Sequence, residues 1–395
     1  MKNILLSSAA IALLAGAASA EITWTGDAEL GYNDDFEDGF YIDADLDVTA
    51  TQELNNGWTA SLTFGFELND TNGGNVYDPF GALVSEGDED GFNADDNLTV
   101  SVYNDMFSFT YGDIEYAAVS YWKGVSDMEA NDFSEYDDES VLRVDVDYGM
   151  YKGGISATVD NETGDLYGLN LGVQADFDMF YVSFAYQEED DDLLAVGIPG
   201  NTVQDTDVLA NADANGGDLD GSEIYALAVG TNYAGADIRL AYVSNETADI
   251  DSLGLQVSYP VGPVTLTGYY VSESDDRSWG KDETYGLTAA YEDGPITLLA
   301  HYEDFGGEEE YNVEGAYDFG MGLVVTAGYI DGDDNGDNDF ASYIVAEYDL
   351  GGGASFLASY ADANSDAAKE TDDIDTGLGG YELYSGATMA LTLEF

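Results

Sequence analysis

The chain of 395 residues predicts an all-β protein, a transmembrane antiparallel up-and-down β-barrel with an even number of strands. Three observations predict it. Segments of about ten residues alternate apolar and polar side chains from end to end. The connections between them alternate short and long. Beyond the first twenty residues, no stretch reaches the roughly 18 apolar residues in succession that a membrane helix requires. A mature chain entering lipid must then close its sheet into a barrel, because only helices and barrels satisfy their backbone there.

Residues 1–20 read as a secretory signal peptide: Lys2 is the positive n-region, Ile4 to Ala15 the apolar stretch, and Ala18-Ser19-Ala20 the cleavage site. Residues 21–395 then form a single barrel domain. In its first segment Ile22, Trp24, Ala28 and Leu30 share one face, and Thr23, Thr25, Asp27 and Glu29 the other. The second opposes Ile42, Ala44, Leu46 and Val48 to Asp43, Asp45, Asp47 and Thr49. The third sets Ala60, Leu62, Phe64, Phe66 and Leu68 against Thr59, Ser61, Thr63 and Glu67. The last alternates Met389, Leu391, Leu393 and Phe395 with Thr388, Ala390, Thr392 and Glu394.

Template matching gives about 20 such segments. Tight turns are expected at Asn55-Asn56-Gly57, Asn104-Asp105, 233–236, 260–263, 292–295 and 349–353, where Gly, Pro, Asn and Asp cluster. Longer acidic loops are expected at 33–38, 70–95, 113–140, 188–221, 246–251, 274–283, 331–338 and 362–383. Tyrosine, with 30 copies, gathers near segment ends, as at Tyr32, Tyr148, Tyr242, Tyr270, Tyr291, Tyr302, Tyr329 and Tyr348. An amphipathic ring suits the headgroup level, so these are candidates for aromatic girdles.

The chain carries 81 acidic against 8 basic side chains, a formal charge of -73, and loss of the leader removes Lys2 as well. Such a surface excludes nucleic acid as a partner, since binding there requires phosphate neutralisation. Aromatics at 13% and hydrophobics at 45% argue against disorder. With no cysteine, neither disulfides nor thiol chemistry contribute. A soluble β-sandwich would alternate too. The outer face of a sandwich, however, tolerates Lys as readily as Asp, whereas these polar faces carry small hydroxyls and acids almost without lysine, as a water-filled lumen can.

The chain resembles the general diffusion porins of Gram-negative bacteria, of the alphaproteobacterial type. The likeness runs through Glu21-Ile-Thr-Trp-Thr-Gly-Asp-Ala-Glu-Leu-Gly31, Phe109-Thr-Tyr-Gly-Asp113 leading into a long third loop, Asp349-Leu-Gly-Gly-Gly-Ala-Ser355, and the terminal strand closing on Phe395. The resemblance implies an outer-membrane location, homotrimers, 16 strands, a third loop folded inward to narrow the pore, and a terminal aromatic read by the outer-membrane assembly machinery.

By that analogy the constriction is the segment after Gly112, with Asp113, Glu115, Asp127, Glu129, Asp132, Glu135, Asp137, Asp138 and Glu139, and Lys123 as its only base. Strand parity supplies the facing wall: Asp43, Asp45 and Asp47 on the second strand, Arg143, Asp145 and Asp147 on the sixth, Asp237 and Arg239 on a later one. Porins of this type oppose an acidic loop with a cluster of wall arginines. Here only Arg143 and Arg239 qualify, so a mouth negative throughout is expected, with cation selectivity as its consequence.

No cofactor is required by this reading. Calcium is a secondary expectation: Asp331, Asp333, Asn335 and Asp339 match the first, third, fifth and ninth positions of an EF-hand loop, with Asp337 between and Gly336 at the sharp turn. Ser342 stands where the bidentate Glu belongs, and with so many acids simple turn residues are the alternative. A second partial run lies at Asn211 to Asp220. Enzymatic chemistry has little material, because the sole histidine, His301, falls on the polar face and no acid pair stands out. The competing functions are a non-conducting structural or adhesive envelope protein and a secreted acidic calcium-binding protein.

Overall fold

The computed structural model describes residues 21–34, 39–70, 76–77, 83–85, 93–94, 98–131, 133–134, 140–160, 163–189, 221–274, 283–334, 337–363 and 374–395. The leader, Asp132, Glu135, Asp137, Asp138, Glu139, Asn335 and the run 211–220 lie outside them.

Twenty strands form the barrel: β1 Glu21–Asn33, β2 Phe40–Glu53, β3 Thr59–Asp70, β4 Thr99–Tyr103, β5 Phe107–Gly112, β6 Val141–Tyr148, β7 Tyr151–Val159, β8 Leu166–Phe177, β9 Phe180–Gln187 and β10 Ile224–Tyr233, then β11 Ala236–Asn245, β12 Ile250–Val261, β13 Val264–Glu273, β14 Glu283–Asp293, β15 Ile296–Phe305, β16 Glu308–Gly320, β17 Leu323–Asp334, β18 Asp337–Asp349, β19 Ala354–Ala363 and β20 Gly386–Glu394. Each pairs antiparallel with the next, and β20 returns to β1 in a register running from Asp27↔Glu394 to Asn33↔Thr388. Backbone bonds between Gly26 and Phe395, at 2.9 and 3.0 Å, complete that seam. The even number expected from the alternation holds. The family value of 16 does not, because this chain carries two further hairpins.

The faces sort as the period requires. Trp24, Leu30, Tyr242, Leu253, Leu287, Val313 and Leu393 are exposed on the outside, where hydrocarbon replaces water as their solvent. Near the long-loop ends outward tyrosines donate to loop-side carboxylates: Tyr242 to Asp251 at 2.7 Å, Tyr270 to Glu283 at 2.8 Å, Tyr302 to Glu309 at 2.9 Å, Tyr329 to Asp331 at 2.6 Å. Their rings face lipid and their hydroxyls the aqueous rim, the arrangement of an interfacial girdle.

Inward tyrosines follow another rule. Tyr41, Tyr181, Tyr269 and Tyr343 each lie over the glycine directly across the sheet, Gly31, Gly230, Gly286 and Gly328 respectively. A Cβ on Gly31 would sit 1.9 Å from the Tyr41 ring, so the ring can lie flat against the wall only because no side chain stands there.

Residues 331–334 pair with 337–340 across β17 and β18, with Asp331↔Phe340, Asp333↔Asn338 and Asp334↔Asp337. Strand pairing holds the backbone extended at 331–334 and 337–340.

Candidate functional site: the constricted lumen

The third long loop, between β5 and β6, folds into the barrel. A five-residue helix, α1 Ala117–Tyr121, lies on the inner face of β7–β9. The Ala117 N–H donates to Ser156 Oγ at 2.8 Å, Tyr116 and Thr158 share a hydroxyl bond of 2.5 Å, and Gln174 Nε2 donates to the Tyr121 carbonyl at 2.9 Å. The approach is close because the wall is bare at Gly172, where a Cβ would lie 2.0 Å from the Ala117 carbonyl oxygen.

Beyond α1 the loop crosses to β12 and β13 and comes back. Val125 fills the space over Gly254, Ser126 donates to Gln256 at 3.3 Å, and Ala130 N–H donates to Ser252 Oγ at 2.9 Å. Glu129 N–H reaches Glu273 at 3.0 Å, and Ser134 N–H reaches Gln187 at 3.0 Å. Between these polar anchors Val125, Met128, Ala130 and Phe133 pack on Ala185, Ile224, Ala226, Ala228, Ala241, Val243 and Ile250. Here the inner wall is apolar, contrary to the expectation that inward faces are uniformly polar. The β10 run Ile224, Ala226, Ala228 faces the loop rather than water, so its burial drives docking.

The sequence-predicted site residues separate by task. Arg143 is a clamp rather than an open wall charge. Its Nε bonds Asp145 at 2.8 Å, its Nη1 donates to the Glu115 carbonyl at 3.0 Å and to Ser120 Oγ at 2.6 Å, and its guanidinium stands 5.4 Å from the Tyr121 ring centre. Asp145 also accepts from the Tyr121 hydroxyl at 2.9 Å, and the Glu115 carboxylate from Ser120 at 2.6 Å. Asp147 pairs with Lys152 at 2.9 Å beside the turn after β6, and Arg239 with Asp237 at 3.2 Å beside the turn before β11. Lys123 lies 5.2 Å from the centre of the Tyr181 ring. The Asp113 N–H donates to the Leu98 carbonyl at 3.3 Å, where the chain leaves β5.

Asp127 is the tip of the loop, held in the left-handed region at φ 55°. Burial pushes its carboxyl above the ordinary value of 3.8; the Glu303 charge adds to the rise, while Tyr269 and His301 hold it back. His301 bridges Thr288 at 2.8 Å and Glu303 at 3.3 Å on the inner wall.

Ten places round the ring from β11 and β12 stands a wall with the opposite character. Asp27 faces Asp45 and Glu29 faces Asp43 directly across β1 and β2, while Glu394 continues the first row on β20. Asp47 follows on β2, opposite Thr25. Rungs of an antiparallel sheet bring facing side chains within about 5.5 Å, inside the Debye length of about 8 Å. The carboxylate fields on this wall therefore add.

A second loop also folds in, which the sequence placed outside. In the connection from β19 to β20, Ile374–Asp375 pairs with Glu382–Leu383, and Ile374 and Leu383 pack on Tyr343, Val345 and Ala361. Glu314, 2% exposed on β16, receives Tyr343 Oη at 2.5 Å and the N–H groups of Gly377 and Leu378 at 3.1 and 2.8 Å. The Tyr381 hydroxyl donates to Glu347 at 2.9 Å. A buried acid on an inner face was the available signal, but its partners are 63 and 64 residues away.

A closed lipid-facing barrel with a loop folded into an acidic lumen is matched by one family model, that of the Gram-negative porins, over residues 7–311. The chain belongs to that family. This porin is an outer-membrane β-barrel, and its architecture is that of a channel rather than an enzyme. Among solved structures it is similar to a triple mutant of the Rh. blastica porin at 13% identity, covering 95% of this chain and 100% of that one with a TM-score of 0.38. It is also similar to Pseudomonas aeruginosa OccK5 (OpdH) at 11% identity, covering 95% and 97% with a TM-score of 0.47. Comparison with curated proteins gave no match.

Proposed function

We propose that this porin is a cation-selective general diffusion channel, passing ions and small hydrophilic solutes passively between the two loops that occupy its lumen. One observation carries the reading: acids dominate the lumen, and among the described residues three of the four bases are paired with carboxylates. Of the four basic side chains among the described residues, Arg143, Lys152 and Arg239 are paired with carboxylates and Lys123 rests on a tyrosine. The opposed rows on β1 and β2 concentrate cations between low-dielectric walls and repel anions. Planar-bilayer recording of the purified protein in asymmetric potassium chloride tests it. A reversal potential of the potassium-permeable sign is expected; a chloride-permeable sign, or no conductance, overturns it.

Homotrimeric assembly, cleavage after Ala20, recognition of Phe395 by the assembly machinery and the constriction role of residues 113–139 belong to the same proposal. Cross-linking and N-terminal sequencing of the purified protein address the first two. Calcium binding at the acidic 331–339 hairpin is a separate, lesser proposal supported by its acid density, and titration calorimetry at millimolar calcium decides it.

A further inference from the structure

Between the acidic wall and the inward-folded last loop lies a cavity of about 360 Å³, lined by β1, β2, β19, β20 and residues 380–384. We infer that it is a binding site for small organic cations bearing an ammonium or guanidinium group. Four carboxylates line it, Asp27, Glu29, Asp43 and Glu382, and no described lining residue is a base. Like charges directly opposed across a sheet destabilise it. The Glu29↔Asp43 rung places two carboxylates of the lining face to face, an arrangement that a bound cation stabilises.

Three further features give the class of cation. Tyr41, Tyr381 and Tyr384 line the same space, Tyr41 and Tyr384 meeting edge to face at 5.9 Å, so aromatic surfaces stand beside the acids as cation–π recognition requires. The Tyr41 and Thr392 hydroxyls both donate to Glu29, at 2.9 and 2.7 Å, holding that carboxylate in place. The Ser359 hydroxyl, on a residue 8% exposed in the lining, has no hydrogen-bond partner, leaving a buried polar atom for a ligand to satisfy.

Size and spacing argue against a bare metal ion. The volume exceeds that of one water, about 30 Å³, by roughly an order of magnitude and falls in the range of small-molecule sites. Among the described residues no three acids converge closely enough to hold a metal. An anion would be repelled, and a neutral sugar would gain nothing from four carboxylates.

Entry of the ligand from outside rests on the channel reading, but binding itself does not. The test is therefore equilibrium titration of the full-length protein in detergent with butylguanidinium and with its neutral isostere butylurea, alongside bilayer recording without either. Butylguanidinium is expected to bind roughly tenfold or more tightly than butylurea, because only the cation meets both carboxylates and ring faces. Asp43→Asn on the wall and Glu382→Gln on the loop should each weaken it several-fold, whereas Glu292→Gln, near a turn away from the cavity, controls for net charge. Glu382→Gln lies off the barrel wall, so the test stands even if Asp43→Asn fails to assemble. Equal affinity for the two probes, no binding, or an equal effect of all three substitutions overturns the site. Binding without conductance sinks only the channel reading, and conductance without binding only the site.

Discussion

Replacing Gly172 with alanine adds one methyl group where the loop helix touches the wall. That Cβ would sit 2.0 Å from the Ala117 carbonyl oxygen and 2.7 Å from Tyr121 Cβ. Both neighbours belong to α1, so the helix must recede by roughly 1.4 Å to restore ordinary contact at 3.4 Å. Such a shift breaks or stretches three anchors, Ala117 to Ser156, Tyr116 to Thr158 and Gln174 to Tyr121. At about 1 kcal/mol for each of the three, docking weakens by roughly 3–4 kcal/mol, the clash itself being relieved by the shift. That is about two to three orders of magnitude in the docking equilibrium. Gly172 lies on β8, but the atoms nearest the added methyl belong to α1 and not to a neighbouring strand, so heat-shifted gel mobility should match the parent. Single-channel conductance and noise should rise, and protease should cut within residues 113–140. A Gly172→Ala channel that assembles normally and retains parental conductance and protease resistance refutes the idea that this contact seats the loop.

Three other outcomes follow from the same anchors. Arg143→Gln removes charge-assisted bonds to Glu115, Ser120 and Asp145, each about 1.5–3 kcal/mol; it should loosen α1 and raise cation over anion permeability, read from the reversal potential. Asp127 is faced by Tyr269 from β13, by His301 and Glu303 from β15 and by Glu310 from β16. Because burial raises its docked value, protonation favours docking. This contribution is full at acid pH and is lost as pH rises through that value, above 3.8, so open-channel noise should grow across that range and Asp127→Asn should flatten the profile. Glu314→Ala leaves the Gly377 and Leu378 N–H groups without their acceptor, at about 1–3 kcal/mol each; the 374–385 segment should become protease-sensitive while the barrel persists.

The strands were legible because a half-buried strand writes its environment into every second residue, and the outward faces of β1, β2 and β20 are the plainest cases. Sidedness of the connections was less so: the outward links at 160–165 and 306–307 are nearly as short as turns, so length alone does not mark them. Inward docking of the third loop was read from resemblance. The residues that cause it, the alanines of β10 and β11, look like weakened alternation until a second segment lies on them. The last loop escaped because its anchors on Glu314 are long-range and depend on which strand stands beside which. Strand parity gives Arg143 an inward direction, but parity fixes direction and not occupancy, and its three partners lie on the loop and on its own strand.

The tyrosines that lie flat on cross-strand glycines have a consequence for how such a lumen changes calibre. A ring lying on the wall takes up the least depth, and at Tyr41 and Tyr343 the last loop rests on such a ring. A methyl group placed beneath it, at Gly31 or Gly328, would tilt it upright and push the loop that rests on it toward the lumen. Aperture can thus be narrowed by the smallest side-chain addition in the genetic code, made at a residue no solute touches.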